Sequence, residues 1–213
     1  MTADGRLVSK ASEPLAENAV LVAGAAHPWV GRAALKLDHA LDLWPVAVEG
    51  RVVLDIGAST GGFTEVCLAR GAARVFAVDV GRGQLHPSLA VHPAVAALEG
   101  LDARALTIEQ IPEPPQLIVC DASFISLAKV LPQPLSLADV CADLVALIKP
   151  QFEVGPKRVG KGGVVRDPAL RAEAVDAVTA WIETQGWTVQ ATAESPITGA
   201  DGNVEYLLWA RRR

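Results

Sequence analysis

The segment LDIGASTGGF (Leu54 to Phe63) constrains the fold more than any other part of the chain. Its apolar start reads as a strand buried on both faces, and Gly57, Ser59, Gly61 and Gly62 read as a tight turn. A helix over Gly62–Arg70 follows. A strand, a glycine turn and a helix together make a nucleotide-type site: the glycines let ligand atoms approach the backbone, and the ligand sits at the carboxyl ends of the strands. Against the pattern G-x-G-x-x-G, Gly57 and Gly62 are in place, but Ser59 stands where the middle glycine belongs. That glycine admits a pyrophosphate, so a dinucleotide is disfavoured.

The rest of the chain repeats the theme. The runs RVVLDIG, RVFAVDV, AVAALEG, QLIVCDA and DLVALIK have the length and continuity of strands covered on both faces. Between them lie helix-like stretches at Gly62–Arg70, Pro87–His92 and Leu127–Ala138, and a turn at Thr107–Gln110. That order predicts an α/β sheet with right-handed crossovers and helices on both faces. Asp167 before Pro168 opens a helix that carries Leu170, Val175, Val178 and Ile182 as far as Gly186. Then WTVQATAES and NVEYLLWA flank PITGADG, which predicts an antiparallel closing hairpin. A mostly parallel Rossmann-like sheet closed in this way suits the S-adenosylmethionine-dependent methyltransferases better than the dinucleotide enzymes.

Ahead of this core, Gly31–Trp44 reads as an amphipathic helix with Leu37, Leu41 and Trp44 on one stripe. Residues 1–24 read as two short strands with too little apolar mass to fold alone. The chain thus divides into a remnant at 1–24, a linker and helix at 25–50, and the main domain at 51–213. With 213 residues, 51% of them hydrophobic, the chain can bury a full core. No apolar run approaches the roughly 20 residues of a membrane span, and MTADGRLVSK lacks the apolar core of a signal peptide, so the reading is a cytoplasmic protein. Cys67, Cys120 and Cys141 read as buried reduced thiols. No histidine and cysteine set has zinc-ligand spacing, so no metal site is expected. A net charge of −5 requires any RNA contact to come from a local patch.

Three acids extend the glycine turn into a cofactor site. Asp55 fits poorly beside a diphosphate but well near the sulfonium and ammonium of S-adenosylmethionine. Asp79, ending the second strand, is placed to accept from both ribose hydroxyls. Asp102, after the third, is placed for the adenine amino group. With Gly57, Ser59, Gly61, Gly62, Phe63 and Asp121 they form the predicted cofactor set.

Asp121 ends the fourth strand and Lys149 the fifth, so both project from the edge where cofactor and substrate meet. A lysine ending an apolar strand is costly to bury unpaired, and Asp121 lies on the adjacent strand. The pair reads either as a structural ion pair or as a lysine that takes or shares a hydroxyl proton. The glycine-rich Pro150–Asp167 loop carries Lys157, Arg158, Lys161 and Arg166, which with Arg32 suit phosphate contacts.

The stretches WVGRAALKL, LDIGASTGGFT, RVFAVDVGRGQL, CDASFISL, LVALIKPQFEVG, VGKGGVVRDP and GNVEYLL resemble the TlyA family of rRNA ribose methyltransferases. That family is often labelled haemolysin, and its catalytic domain is related to the FtsJ methyltransferase. The resemblance runs from about Trp29 to Leu208. It implies S-adenosylmethionine as cofactor, ribosomal RNA or ribosomal subunits as partner, and a Lys-Asp-Lys-Glu tetrad falling on Lys36, Asp121, Lys149 and Glu205. Lys149 is then the main activating residue, with Asp121 orienting it and Lys36 and Glu205 holding the ribose. Family members usually begin with a small RNA-binding domain; GRLVSKASEPLAENAVLVA (Gly5 to Ala23) resembles only its closing strands. The family's Ser-Arg-Gly turn before the helix reads Gly31-Arg32-Ala33. Competing readings are a nicotinamide oxidoreductase, a membrane-lytic protein, and a non-catalytic ribosome-binding protein that retains the fold.

Overall fold

The computed structural model describes residues 2–3, 6–7, 14–16, 18–22, 27–199 and 201–213. It opens on three two-residue strands, β1 (Thr2–Ala3), β2 (Arg6–Leu7) and β3 (Leu21–Val22), paired antiparallel in the order β2-β1-β3. The sequence reading expected two strands here. The rest of the Gly5–Ala23 stretch lies largely outside the described residues.

Helix α1 (Ala34–Leu43) starts later than predicted, because Gly31 to Ala33 form a turn. Leu37, Ala40 and Leu41 face the core as the apolar stripe requires, and Trp44 stacks on Trp209 at 6.2 Å. The main body then runs β4 (Val52–Ile56), α2 (Gly62–Ala69), β5 (Arg74–Asp79), α3 (Pro87–Ala90), β6 (Val95–Glu99) and β7 (Leu117–Cys120). It continues with α4 (Leu127–Val130), α5 (Pro132–Leu137), β8 (Asp143–Ile148), α6 (Pro150–Glu153), α7 (Pro168–Thr184), β9 (Trp187–Glu194) and β10 (Tyr206–Arg212). The predicted Leu127–Ala138 helix is broken at Pro132, whose missing N–H opens a new helix instead of continuing the old one. Asp167 caps α7 as anticipated, its carboxylate accepting from Ala169 N at 2.9 Å.

Among the described residues, seven strands form the main sheet in the order β6-β5-β4-β7-β8-β10-β9. The first five are parallel, and β10 runs antiparallel between β8 and β9. This is the α/β methyltransferase-type sheet with its closing hairpin. Side chains alternate across it, so Val53 enters one apolar cluster while Leu54 and Ile56 enter the other. The first cluster holds α1 and α2, and the second α4, α5 and α7. The chain moves outward from β4 to β6, then returns to place β7 beside β4. That reversal opens a crevice at the carboxyl ends of β4 and β7.

Two fully buried acids mark opposite ends of this sheet. Asp143, opening β8, accepts from Arg51 Nη1 at 2.7 Å, Trp209 Nε1 at 2.9 Å and Arg211 Nε at 3.0 Å. Burial alone would raise its pKa, but Arg211, Arg51 and Trp209 together hold it below the ordinary carboxylate value. Asp55, near the carboxyl end of β4, accepts from the Thr64 hydroxyl at 2.7 Å to Oδ2, while among the described residues its buried Oδ1 has no side-chain partner. Burial pushes its carboxyl up to about 7; Thr64 opposes the shift, and Asp121 and Asp79 add to it.

Removing Asp143 leaves Arg51 and Arg211 facing a buried gap. Asp143→Ala should therefore cost about 3 kcal/mol or more, read as a lower urea midpoint. Asp55 works in the opposite sense. With its folded pKa near 7 and its unfolded value about 3.9, stability is lost as pH rises through that window. Asp55→Asn should flatten the fall in unfolding midpoint between pH 5 and pH 8; an unchanged slope would assign the pH dependence to other groups.

Candidate active site at the carboxyl ends of the parallel strands

The glycine turn is built for close approach. Gly57 has φ +80°, and a Cβ there would stand 3.0 Å from the Ala122 backbone, so the β4 turn and the segment after β7 touch directly. Ser59 is also left-handed, at φ +48°, and its N–H donates to Asp79 Oδ2 at 2.8 Å. Over these residues lies a cavity of about 560 Å³, walled by Gly57, Ser59, Asp79, Asp102 and Asp121 among others. Four predicted cofactor residues stand behind that wall. Asp55 and Phe63 are buried, Gly61 lies against Leu85 and Leu89, and Gly62 packs where α2 meets the Ala34 backbone. Their spacing identified the turn, whose first half, Gly57 and Ser59, lines the cavity while Gly61 and Gly62 pack against neighbouring elements.

The acids around the cavity differ in how far they are free. Asp79 takes one backbone donor on each oxygen, from Ser59 N and from Gly81 N at 2.7 Å. Each oxygen keeps a second lone pair for a hydroxyl. Asp102 is occupied: Arg104 donates from Nη2 at 2.6 Å, from Nε at 3.0 Å and from its backbone N at 2.9 Å. These bonds hold Asp102 below the ordinary carboxylate value and leave it less free than Asp79 for an adenine amino group. Glu99 was not anticipated. It accepts from Leu85, Gln84 and Gly83 backbone N–H groups, which lower its pKa and fix the loop after β5. The only sequence signal was an acid ending an apolar strand.

The four charged residues converge. Lys36 on α1 reaches Glu205 Oε2 at 2.6 Å and Asp121 Oδ2 at 3.8 Å. Lys149 Nζ lies 2.6 Å from Asp121 Oδ1 and donates to Asp121 O at 3.0 Å and to Ser123 Oγ at 2.8 Å. Side-chain exposures are 9% for Lys36, 7% for Lys149, 3% for Glu205 and 13% for Asp121, so the charges meet largely out of water. The contact to Asp121 Oδ1 is an ion pair between two largely buried groups. Glu205 precedes β10 instead of lying within it, which lets its side chain turn toward α1. Ser123 escaped the sequence reading, since nothing in CDAS marks one serine as a lysine partner.

Beside the cavity, a second one of about 510 Å³ is walled by Arg104, Phe124, Lys129, Gln151 and Phe152 with their neighbours. Phe124 is 90% exposed with φ +65°, its ring 5.2 Å from that of Phe152. Of the predicted basic residues, Arg32, Lys157, Lys161 and Arg166 are exposed. Arg158 is tied to Glu173 at 2.7 and 2.8 Å and to Val154 O at 2.9 Å, so it anchors the loop instead of reaching outward. Cys67 and Cys120 are buried, and burial pushes the Cys120 thiol up to about 12. Cys141 is exposed in a turn at φ +62°, contrary to the expectation of three buried thiols. Among the described residues there is no group of three or more potential metal ligands, and no helix long and apolar enough to cross a membrane.

Comparison with known proteins agrees with this geometry. The family model for FtsJ-like methyltransferases matches residues 29–212. The 16S/23S rRNA (cytidine-2'-O)-methyltransferase TlyA of Mycobacterium tuberculosis is 55% identical over 183 residues, which cover 86% of this chain and 68% of that protein. Hemolysin A of Brachyspira hyodysenteriae is 41% identical over 180 residues, 84% of this chain and 75% of that one. The crystal structure of a candidate hemolysin from Lactococcus lactis superposes with a TM-score of 0.84 at 36% identity, covering 87% and 89% of the two chains. With its glycine turn, its cavity and its strand-end charges all inside the matched span, the chain belongs to the FtsJ-like methyltransferase family.

Proposed function

We propose that this chain transfers a methyl group from S-adenosylmethionine to ribose 2'-hydroxyls of ribosomal RNA, free or in ribosomal subunits, in the cytoplasm. The observation that carries the reading is the cluster of two lysines and two carboxylates beside a cavity whose wall includes one of those carboxylates. The relative named as a cytidine-2'-O-methyltransferase supports the same chemistry.

The cavity suits the cofactor. Asp79 offers two acceptors to a ribose, Gly57 and Ser59 let a ligand approach the backbone, and apolar Leu101, Ile125 and Val130 suit a purine face. When bound, S-adenosylmethionine supplies a methyl on a positively charged sulfur. The protein must align a hydroxyl oxygen with that methyl and draw off the hydroxyl proton. Lys149, oriented by the Asp121 carboxylate 2.6 Å away, is the residue that takes or shares that proton. Its ammonium form then stabilises the hydroxyl oxygen as negative charge develops there. Asp121 O and Ser123 Oγ hold Lys149 in place, while Lys36 and Glu205 position the ribose.

The surroundings suit single-stranded RNA. Phe124 and Phe152 offer aromatic faces for an unstacked base. Lys157, Lys161, Arg166 and Arg32 offer exposed cations for phosphates, without requiring a positive net charge.

Lys149→Ala and Asp121→Ala should each lower methyl transfer to unmodified ribosomal RNA at least 100-fold while keeping cofactor affinity for Lys149→Ala within about threefold. Full activity in Lys149→Ala would remove that residue from the mechanism. Lys161→Ala should reduce the slope of log affinity for RNA against log salt by about 0.7 per lost phosphate contact. Arg158→Ala should leave the slope unchanged and lower thermal stability instead, because its charge is already spent on Glu173.

A further inference from the structure

Asn203 is the least expected buried polar residue of the hairpin. It is 2% exposed, and both ends of its amide are used across a long sequence separation. Its Nδ2 donates to Gly163 O at 2.9 Å, and its Oδ1 accepts from Val165 N at 3.0 Å. One side chain thus grips the basic loop on both sides of Val164. Val165 is itself buried with Val154 and Ala174, so the loop closes on a small apolar floor. Lys161 and Arg166, two of its exposed cations, lie within two residues of the gripped positions.

The backbone of Asn203 is tied to Gly199. Its carbonyl accepts from Gly199 N at 2.9 Å, and the carbonyl of Glu205 accepts from Ser195 N at 2.9 Å. Gly199 sits directly beneath the Glu205 carboxylate, since a Cβ there would stand 2.6 Å from Oε1. Glu205 in turn holds Lys36 at 2.6 Å. A short path therefore runs from loop cations through Asn203 to the pair that positions the ribose.

We propose that Asn203 is a positioning residue that couples the basic loop to Glu205, so that RNA held by the loop sets the Lys36–Glu205 pair for transfer. The proposal rests on reading the substrate as RNA. A buried amide that serves stability alone would also be costly to remove, because two backbone groups lose partners. What separates the two roles is where the loss falls. A coupling residue affects the rate with RNA already bound, whereas an anchor for the loop affects RNA affinity only.

The test compares the full chain with Asn203→Ala and Asn203→Asp, which keeps the acceptor for Val165 N and sets a carboxylate oxygen against Gly163 O. Asn203→Ala is expected to bind S-adenosylmethionine within twofold of the parent. At saturating unmodified ribosomal RNA its single-turnover methyl transfer should fall at least tenfold, and that of Asn203→Asp should fall as well. A rate equal to the parent's at saturating RNA, with only the affinity reduced, would overturn the coupling and leave Asn203 as an anchor. Amide hydrogen exchange reads the same path without substrate. In Asn203→Asp the amide of Ser195, bonded to Glu205 O, should lose protection together with the loop. Protection retained at Ser195 while the loop opens would contradict the proposal. A parent enzyme that methylates no ribosomal RNA would sink the RNA reading separately, and the exchange result would still decide whether the loop and Glu205 are joined.

Discussion

Four charges share a nearly dry site at the carboxyl edge of the sheet, and most of the architecture serves to bring them there. Lys36 and Glu205 are 169 residues apart in sequence yet 2.6 Å apart in space. Asp121 and Lys149 come from adjacent parallel strands. Desolvating any one of these groups alone would cost several kcal/mol, so each must find its opposite number before the core can close. The site therefore needs α1 docked on one face, β7 and β8 in register, and the hairpin folded back so that β10 lies beside β8. An antiparallel closing strand is what places Glu205 over the end of a parallel sheet.

The contrast between the two buried acids sharpens this view. Asp143 is saturated by two guanidiniums and an indole N–H, and acts as a fixed joint between β8, β10 and the start of β4. Asp55 has Thr64 on one oxygen and a second buried oxygen with no side-chain partner among the described residues, and the charges of Asp121 and Asp79 add to the burial that raises its pKa. A buried carboxylate kept from ionising in this way is a stability cost that grows as pH rises.

Much of the fold was legible because buried parallel strands are continuous apolar runs, and five such runs stand between helical stretches. The closing hairpin was legible from its Asp-Gly turn. What escaped reading depends on partners instead of residue types. Arg104 occupies Asp102 and Glu173 occupies Arg158, and neither pairing has a sequence signature. Phe63 sits in a motif that binds ligands, yet its side chain turns into the core because α2 needs an apolar contact with α1. Ser123, Glu99 and Asn203 are ordinary residues given work by what surrounds them. The quartet itself was named from family resemblance; taken singly, Lys36 and Glu205 looked like solvated charges until the fold paired them.

The central claim is that this cluster activates a ribose hydroxyl and not a base nitrogen or carbon. The most direct measurement is the chemical position of a labelled methyl placed on ribosomal RNA by the purified protein with S-adenosylmethionine. Alkali cleaves RNA through a free 2'-hydroxyl, so methylation there leaves an intact dinucleotide. The account predicts that the label is recovered in alkali-resistant dinucleotides. Label recovered in single nucleotides carrying a methylated base would contradict it.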